Sequence, residues 1–409
     1  MAKSRIKPFC GDKVIWLVMI VLAIVSVVEV YSSIGRVVYD HDWSISSTIA
    51  KHVVLVALGF LFANILANLN YGIYRGLARF FFFFILLLLV YVFALYIISH
   101  RADIGNGKAA VRWIELPLIG QFQPSELAKY AIILYLANRI EKHKDTLKEI
   151  KTFFKLIAPV GLVCLFIFPE NFSTAALVFI VCFLLMWIGG VNKKYLAITL
   201  FILLFGVGLV FGLTYSGVAE IGRSSTWITR VDDWLNHDDD ALTQPNQAKM
   251  AIASGGFLPN GIGTTIQGRF LSESHTDFIY AVIIEELGSF IGILILLLYI
   301  WFFFRCMSVS SKSRTTFGYL LALGVGLLIF VQALVNMSVA VGYLPVTGQT
   351  LPLVSFGGTS YVITCCAIGM IQSVCNLDEK YAKLEAKKLE TLDNSDNNNQ
   401  NDNNHESNN

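Results

Sequence analysis

Residues 269–304, RFLSESHTDFIYAVIIEELGSFIGILILLLYIWFFF, set a cluster of charge at the mouth of a long apolar run. From Asp277 to Phe304 the run is long enough to cross a bilayer, which takes about 20 apolar residues in a helix. Yet Arg269, Glu273, His275 and Asp277 crowd its start, and Glu285 and Glu286 lie inside it. At the helical rise per residue those two acids fall about 12 to 14 Å beyond Asp277. Ionisable groups in a membrane segment are costly, so they point to function unless a structural role accounts for them. One such role is open to Asp277: Ser274-His275-Thr276-Asp277 fits the [ST]-x-x-[DE] capping box, which puts Asp277 at N3 of the helix, pairing free backbone N–H groups. Capping and catalysis are compatible, because the positive helix end keeps a nearby carboxylate ionised.

Apolar character extends along the chain on both sides of this run. With 55% hydrophobic residues, 15% charged residues and a mean hydropathy of +0.63, the sequence is that of an integral membrane protein. Apolar runs near 14–34, 49–68, 80–98, 127–138, 153–169, 172–190, 195–213, 277–304, 317–341 and 355–375 predict an all-α polytopic protein of ten transmembrane helices in one domain, residues 1–376. The fourth run becomes adequate by starting at Pro124, a residue suited to the first helical turn. The first is too long for a signal peptide, carries Glu29 and lacks a small-residue cleavage site. Residues 216–276 form one long polar connection between helices seven and eight, and 377–409 end in an Asn-rich tail too polar to bury a core and expected to be disordered.

Ten spans put both termini on one side, and 21 of the 31 Lys and Arg residues fall there. The positive-inside rule makes that side cytoplasmic, so Asp277 and the long loop face outward. A net charge of +2 gives no ground for a nucleic-acid partner, and the seven cysteines show neither a disulfide framework nor a CxxC metal spacing.

Four further polar stretches belong to the outer face. In Gln123-Pro124-Ser125-Glu126-Leu127-Ala128-Lys129, Glu126 and Lys129 share one helical face; an exposed ion pair at that spacing contributes a few tenths of a kcal/mol. Residues 169–175, PENFSTA, read as a tight turn with a helix cap at Ser173. Between Arg230 and Gly263 the acids 238–240 read as solvated loop, and the glycines lack the Lys-Ser/Thr of a phosphate loop. Residues 342–360, GYLPVTGQTLPLVSFGGTS, break any helix; irregular backbone at membrane depth needs protein or a water-filled cavity around it, so a polar cavity near the outer leaflet is expected.

Together these stretches resemble the SEDS family (FtsW/RodA/SpoVE) of shape, elongation, division and sporulation proteins. ESHTDFI (273–279) with EELG (285–288) looks like the family's E-x-H-T-D-F-I and E-E-L-G, QPSELAK (123–129) like Q-P-S-E-x-x-K, and LPVTG (344–348) with SFGGTS (355–360) like L-P-V-T-G and S-Y-G-G-S-S. The resemblance implies a peptidoglycan glycosyltransferase that polymerises lipid II at the outer face of the bacterial cytoplasmic membrane. It also implies work beside a class B penicillin-binding protein (FtsI-like) and other division proteins, at the septum. The family's essential acid falls on Asp277, the candidate base. Arg112, Lys129 and Arg269 are candidates for holding pyrophosphate, and Glu126, Glu273, His275 and Ser355 for supporting the site. No cofactor is identified; a divalent cation is an option without a readable ligand set. Departures from the pattern fall at 106–114, two residues longer than the family's N-G-A-R-R-W-I, at Glu170 for Asp, at Ser272 for Pro and at Phe356 for Tyr. Thr347 and the cytoplasmic tail favour the division branch over the elongation (RodA-like) branch. Two rival readings are a lipid II flippase, which needs polar groups in the cytoplasmic halves of its helices, and a scaffold, which leaves the outer charges unexplained.

Overall fold

A computed structural model describes residues 8–33, 45–102, 113–116, 120–169, 171–217, 224–236, 243–271 and 274–406. Its helices are α1 (Lys13–Ser33), α2 (Ile45–Asn68), α3 (Tyr71–Ala102), α4 (Pro124–Lys142), α5 (Ile150–Ile167), α6 (Phe172–Ile188), α7 (Lys193–Tyr215), α8 (Ser224–Asn236), α9 (Gln244–Ser254), α10 (Ile279–Ser311), α11 (Thr316–Ala340) and α12 (Thr359–Glu406). A small antiparallel ribbon, β1 (Ile114–Leu116) against β2 (Gly120–Phe122), sets Glu115 opposite Gln121 just before α4.

Among the described residues eight helices are long and apolar enough to cross a membrane: α1, α2, α3, α5, α7, α10, α11 and α12. Helices α4 and α6 stand where the fourth and sixth spans are expected. At 17 residues α6 is short, and α4 carries Glu126, Lys129, Arg139, Glu141 and Lys142 in its 19. Burial accounts for Glu126 and Lys129, while Arg139, Glu141 and Lys142 stand at the less buried end of α4. It packs among α3, α5, α6, α11 and α12, and from Pro124 to Asn138 only Leu127 escapes full burial, so protein rather than lipid is its solvent. The opposite case is α7, which buries only Leu196 and is apolar all round, as a lipid-facing helix should be. The polar connection 216–276 is not plain loop: α8 and α9 form within it, and α9 packs Ala248 and Ala251 against α10. The last helix stays helical through Glu406, although only 359–382 is apolar enough to span; the Asn-rich remainder has no apolar face to bury.

Two breaks in helical structure position the site. The first is inside α10, at Gly288 (φ 78°, ψ 162°). The glycine-rich turn after α9 enters this break: Ser289 N donates to Gly256 O at 3.0 Å and Phe290 N to Phe257 O at 3.2 Å, which pairs the free N–H groups at the start of the second half-helix. Only glycine permits the approach, since a Cβ on Gly255 meets Ile284 O at 2.1 Å and one on Gly288 meets the backbone of Leu258 at 2.7 Å. The second break is the stretch 342–358 between α11 and α12. It dips into the bundle, burying Leu351, Leu353 and Val354, and its carbonyls find donors there: Ser26 Oγ bonds Val354 O at 2.7 Å, and Tyr299 Oη bonds Pro352 O. Irregular backbone here is enclosed by protein, as the physics of the bilayer demands.

Candidate active site

The turn carrying Asp277 precedes the first break in the chain and is bonded to the second. Asp277 does not occupy N3 of a capping box: α10 begins at Ile279, its N-cap is Phe278, and no side chain caps it. The reason is competition for carbonyls. In a helix His275, Thr276 and Asp277 would offer their C=O groups to the N–H groups four residues on. Here His275 O accepts from Phe356 N at 2.9 Å, Thr276 O from Ser355 Oγ at 2.6 Å, and Asp277 O from Asn336 Nδ2 at 2.8 Å. Three successive carbonyls are thus held by donors from outside the turn.

The clamps are themselves fixed. Ser355 Oγ accepts from Leu351 N at 2.7 Å, and Asn336 Nδ2 also donates to Gln349 O at 2.6 Å. Gln349 Nε2 donates to Thr174 Oγ1 at 2.7 Å, and Thr174 N is capped by Asn171 Oδ1 at 3.1 Å, so the cap of α6 is Asn171 rather than Ser173. His275 and Asp277 are half-buried, the imidazole tilted against Phe356 with ring centroids 5.9 Å apart. Gly348 (φ 65°) passes the carboxylate, where a Cβ would stand 3.6 Å from Asp277 Oδ2. One residue earlier, Thr347 Oγ1 is buried with no partner among the described residues, the kind of atom that a bound water or a substrate hydroxyl satisfies. Over the same loop lies α8: Arg230 Nη1 donates to Val346 O at 3.1 Å and Trp234 Nε1 to Gly342 O at 3.0 Å.

Glu126 and Lys129 are not an exposed pair at the interface. Lys129 is fully buried; its Nζ donates to Glu126 Oε1 at 2.8 Å and to Gln332 Oε1 at 2.8 Å. Ser360 Oγ donates to Glu126 Oε2 at 2.7 Å, and Gln332 Nε2 reaches Thr350 O at 3.0 Å. This network ties α4, α11, α12 and the broken segment together. It also engages the ammonium inside the protein, which leaves it no open face toward a pyrophosphate in this conformation.

Glu285 and Glu286, for which the sequence supplies no role, are anchors. Glu285 Oε1 accepts from Ile266 N at 2.8 Å and Gln267 N at 2.9 Å, while its Oε2 takes Gly268 N and the Thr265 hydroxyl. Glu286 accepts from Thr265 N, Gly263 N and the Ser32 hydroxyl. Two membrane-depth carboxylates therefore hold the loop 263–268 by its backbone, and that loop leads into the Asp277 turn. Arg112, Glu273 and Glu170 lie outside the described residues, as do the acids 238–240, and of Arg269 only the backbone, in a 3₁₀ turn at Gln267–Arg269, is described.

Sequence reasoning missed Asn336, Gln332, Gln349 and Thr174, which are buried, uncharged and central. A signal existed for two of them. Gln332 and Asn336 are four residues apart in an apolar span, hence on one face, and side-chain amides in such a span need partners.

What the arrangement offers chemically is a carboxylate on a turn with restrained backbone, beside a glycine-lined loop and a covering amphipathic helix. Such pre-set geometry is what a general base requires. Residues 12–380 match the FtsW/RodA/SpoVE family model, described as cell cycle protein. A protein of Geobacter sp. (strain M18) named probable peptidoglycan glycosyltransferase FtsW is 32% identical over 371 residues, covering 89% of this chain and 96% of the relative. The Escherichia coli (strain K12) peptidoglycan glycosyltransferase MrdB is 30% identical over 380 residues, covering 89% and 93%. Among solved structures, a chain from work described as structural coordination of polymerization and crosslinking by a peptidoglycan synthase complex superposes with a TM-score of 0.70 at 24% identity, covering 90% of this chain and 99% of that one. Thermus thermophilus rod shape determining protein RodA superposes with a TM-score of 0.61 at 23% identity, covering 90% and 97%. Fold, motifs and relatives coincide over the membrane domain, and the chain belongs to the FtsW/RodA/SpoVE family of cell cycle proteins.

Proposed function

We propose that this chain is a peptidoglycan glycosyltransferase that polymerises lipid II at the outer face of the bacterial cytoplasmic membrane, for septal wall synthesis. The observation that carries the reading is the Asp277 turn, held by its carbonyls against the broken segment 342–358 and α11, in a family whose curated relatives are named peptidoglycan glycosyltransferases. In the reaction, Asp277 takes the proton from a sugar hydroxyl of the acceptor as the oxygen bonds to the anomeric carbon of the donor. The bond from that carbon to the lipid pyrophosphate breaks, and the electron pair leaves with the pyrophosphate. Positive charge near the leaving group lowers the barrier by meeting developing charge in a preorganised site. Arg112 and Arg269 are the proposed cations, joined by Arg230, which already bonds the loop beside Asp277. A divalent cation is proposed from the substrate's chemistry alone: pyrophosphate brings its own oxygen ligands, and among the described residues no three His, Cys, Asp or Glu side chains converge to supply more.

The Lys and Arg bias supports cytoplasmic termini, and the proposed transpeptidase partner is a class B penicillin-binding protein. The test is to incubate the purified protein and that partner with lipid II and to separate the products by size. Glycan polymer is expected. Lipid II that crosses vesicle membranes without being polymerised would instead identify a flippase.

A further inference from the structure

Asn336 lies in α11, with no exposed surface, and its side-chain nitrogen donates to two backbone carbonyls from different segments: Asp277 O at 2.8 Å and Gln349 O at 2.6 Å. Because both neighbours are acceptors, the amide has one possible orientation, NH2 toward them. The two segments it joins have no ladder between them. One is the turn that leads into the broken α10; the other is the irregular stretch 342–358, which brings Gly348 to where an added Cβ would stand 3.6 Å from Asp277 Oδ2. Helix α11, mostly buried along its length, is the rigid element against which both are registered.

One turn earlier on the same face, Gln332 repeats the device by donating to Thr350 O at 3.0 Å while accepting from Lys129. The two amides therefore fix consecutive residues, Gln349 and Thr350, of the loop that walls the carboxylate. Only Asn336 also reaches the turn of the catalytic acid.

We propose that Asn336 is a positioning residue for glycosyl transfer: it locks the Asp277 backbone and the 347–349 loop at one separation, so that the carboxylate meets the acceptor hydroxyl in a single geometry. The proposal rests on Asp277 being the base. Substrate does not touch Asn336, so its loss should act on the chemical step and leave binding alone. A displacement of about 1 Å at a reacting group lowers rate on the order of 100-fold.

The test uses Asn336→Leu, which keeps the volume and removes the donor, in the full chain with its transpeptidase partner. Where Asn336→Leu does not fold, Asn336→Ser takes its place; its hydroxyl is too short to reach either carbonyl. Two quantities are read on folded protein: kcat and KM for lipid II, and amide hydrogen exchange in peptides covering 274–280 and 347–351. The expected result is a kcat lower by about 100-fold with KM unchanged, and faster exchange in those two peptides but not in 13–33. A residue that only supports the fold would lower yield and thermal midpoint while each folded molecule kept its wild-type kcat and exchange pattern, and that result overturns the proposal. A rise in KM with kcat unchanged overturns it as well, by making Asn336 a binding residue. Should the wild type form no polymer in the same assay, the glycosyltransferase reading fails and takes this role with it, whereas a silent variant beside an active wild type speaks to Asn336 alone.

Discussion

At the residue scale the decisive fact is that charge and partner arrive together. Lys129 is accommodated inside the bundle because Glu126 and Gln332 accept hydrogen bonds from its Nζ, and Glu126 in turn accepts one from Ser360. Removing one member of a buried pair leaves the other uncompensated, at a cost of about 3 to 5 kcal/mol. Lys129→Met is therefore expected to lower the thermal midpoint in detergent micelles well below that of the wild type. The double variant Glu126→Gln/Lys129→Met, which leaves no orphaned charge, should recover much of the loss. An equal loss in the double variant would mean that packing, not charge, sets the effect. The sequence made the pair visible through its spacing but not its burial, because the i,i+3 pattern is the same on a wet surface and in a core. Asp277 was legible for the opposite reason: several ionisable groups at one helix mouth exceed what capping requires. Asn336 was missed because its signal was weaker, a pair of uncharged amides with Gln332 on one face of an apolar run rather than a surplus of charge.

At the scale of elements, helix boundaries and apolar spans followed from composition to within a few residues in most cases, as with 316–340 against the expected 317–341. The breaks did not. A run such as 277–304 reads as continuous helix because Gly288 alone does not announce a break, and the break exists only because the turn after α9 enters it. That interlock predicts that Gly255→Ala, whose Cβ would meet Ile284 O at 2.1 Å, destabilises the protein strongly, by about 3 kcal/mol for an overpacked site where backbone must move. Thermal unfolding checks it, and an unchanged midpoint would show that α9 and α10 separate freely. The carboxylate anchor makes a second prediction. Glu285→Gln turns an amide NH2 toward N–H donors that the carboxylate now accepts from, so amides 266–268 should exchange faster by hydrogen–deuterium exchange while those of α11 stay protected. Unaltered exchange in 266–268 would contradict the anchoring role.

At the scale of the whole molecule, the bundle places charged and polar groups in two settings that composition alone cannot separate. Helix α7 turns apolar residues outward on every side, while α4 hides Glu126 and Lys129 among five neighbouring helices. The site lies where the Asp277 turn meets α11 and the broken segment 342–358, on the face that the Lys and Arg distribution predicts to be outside. Sidedness has its own test. Leu258, 68% exposed in the turn after α9, and Ser311, exposed at the far end of α10, should react oppositely as Leu258→Cys and Ser311→Cys with a membrane-impermeant maleimide on intact spheroplasts. Labelling at 258 alone is expected; labelling at 311 alone would invert the topology and put Asp277 on the wrong side for lipid II chain growth.

The most direct measurement is polymerisation of lipid II by the purified chain with the proposed transpeptidase partner, wild type beside Asp277→Asn. The amide is isosteric with the carboxylate but cannot take a proton from the acceptor hydroxyl. The account predicts glycan polymer from the wild type and a loss of at least about 100-fold in the variant, with the thermal midpoint retained. Polymer formed at the wild-type rate by Asp277→Asn would contradict it.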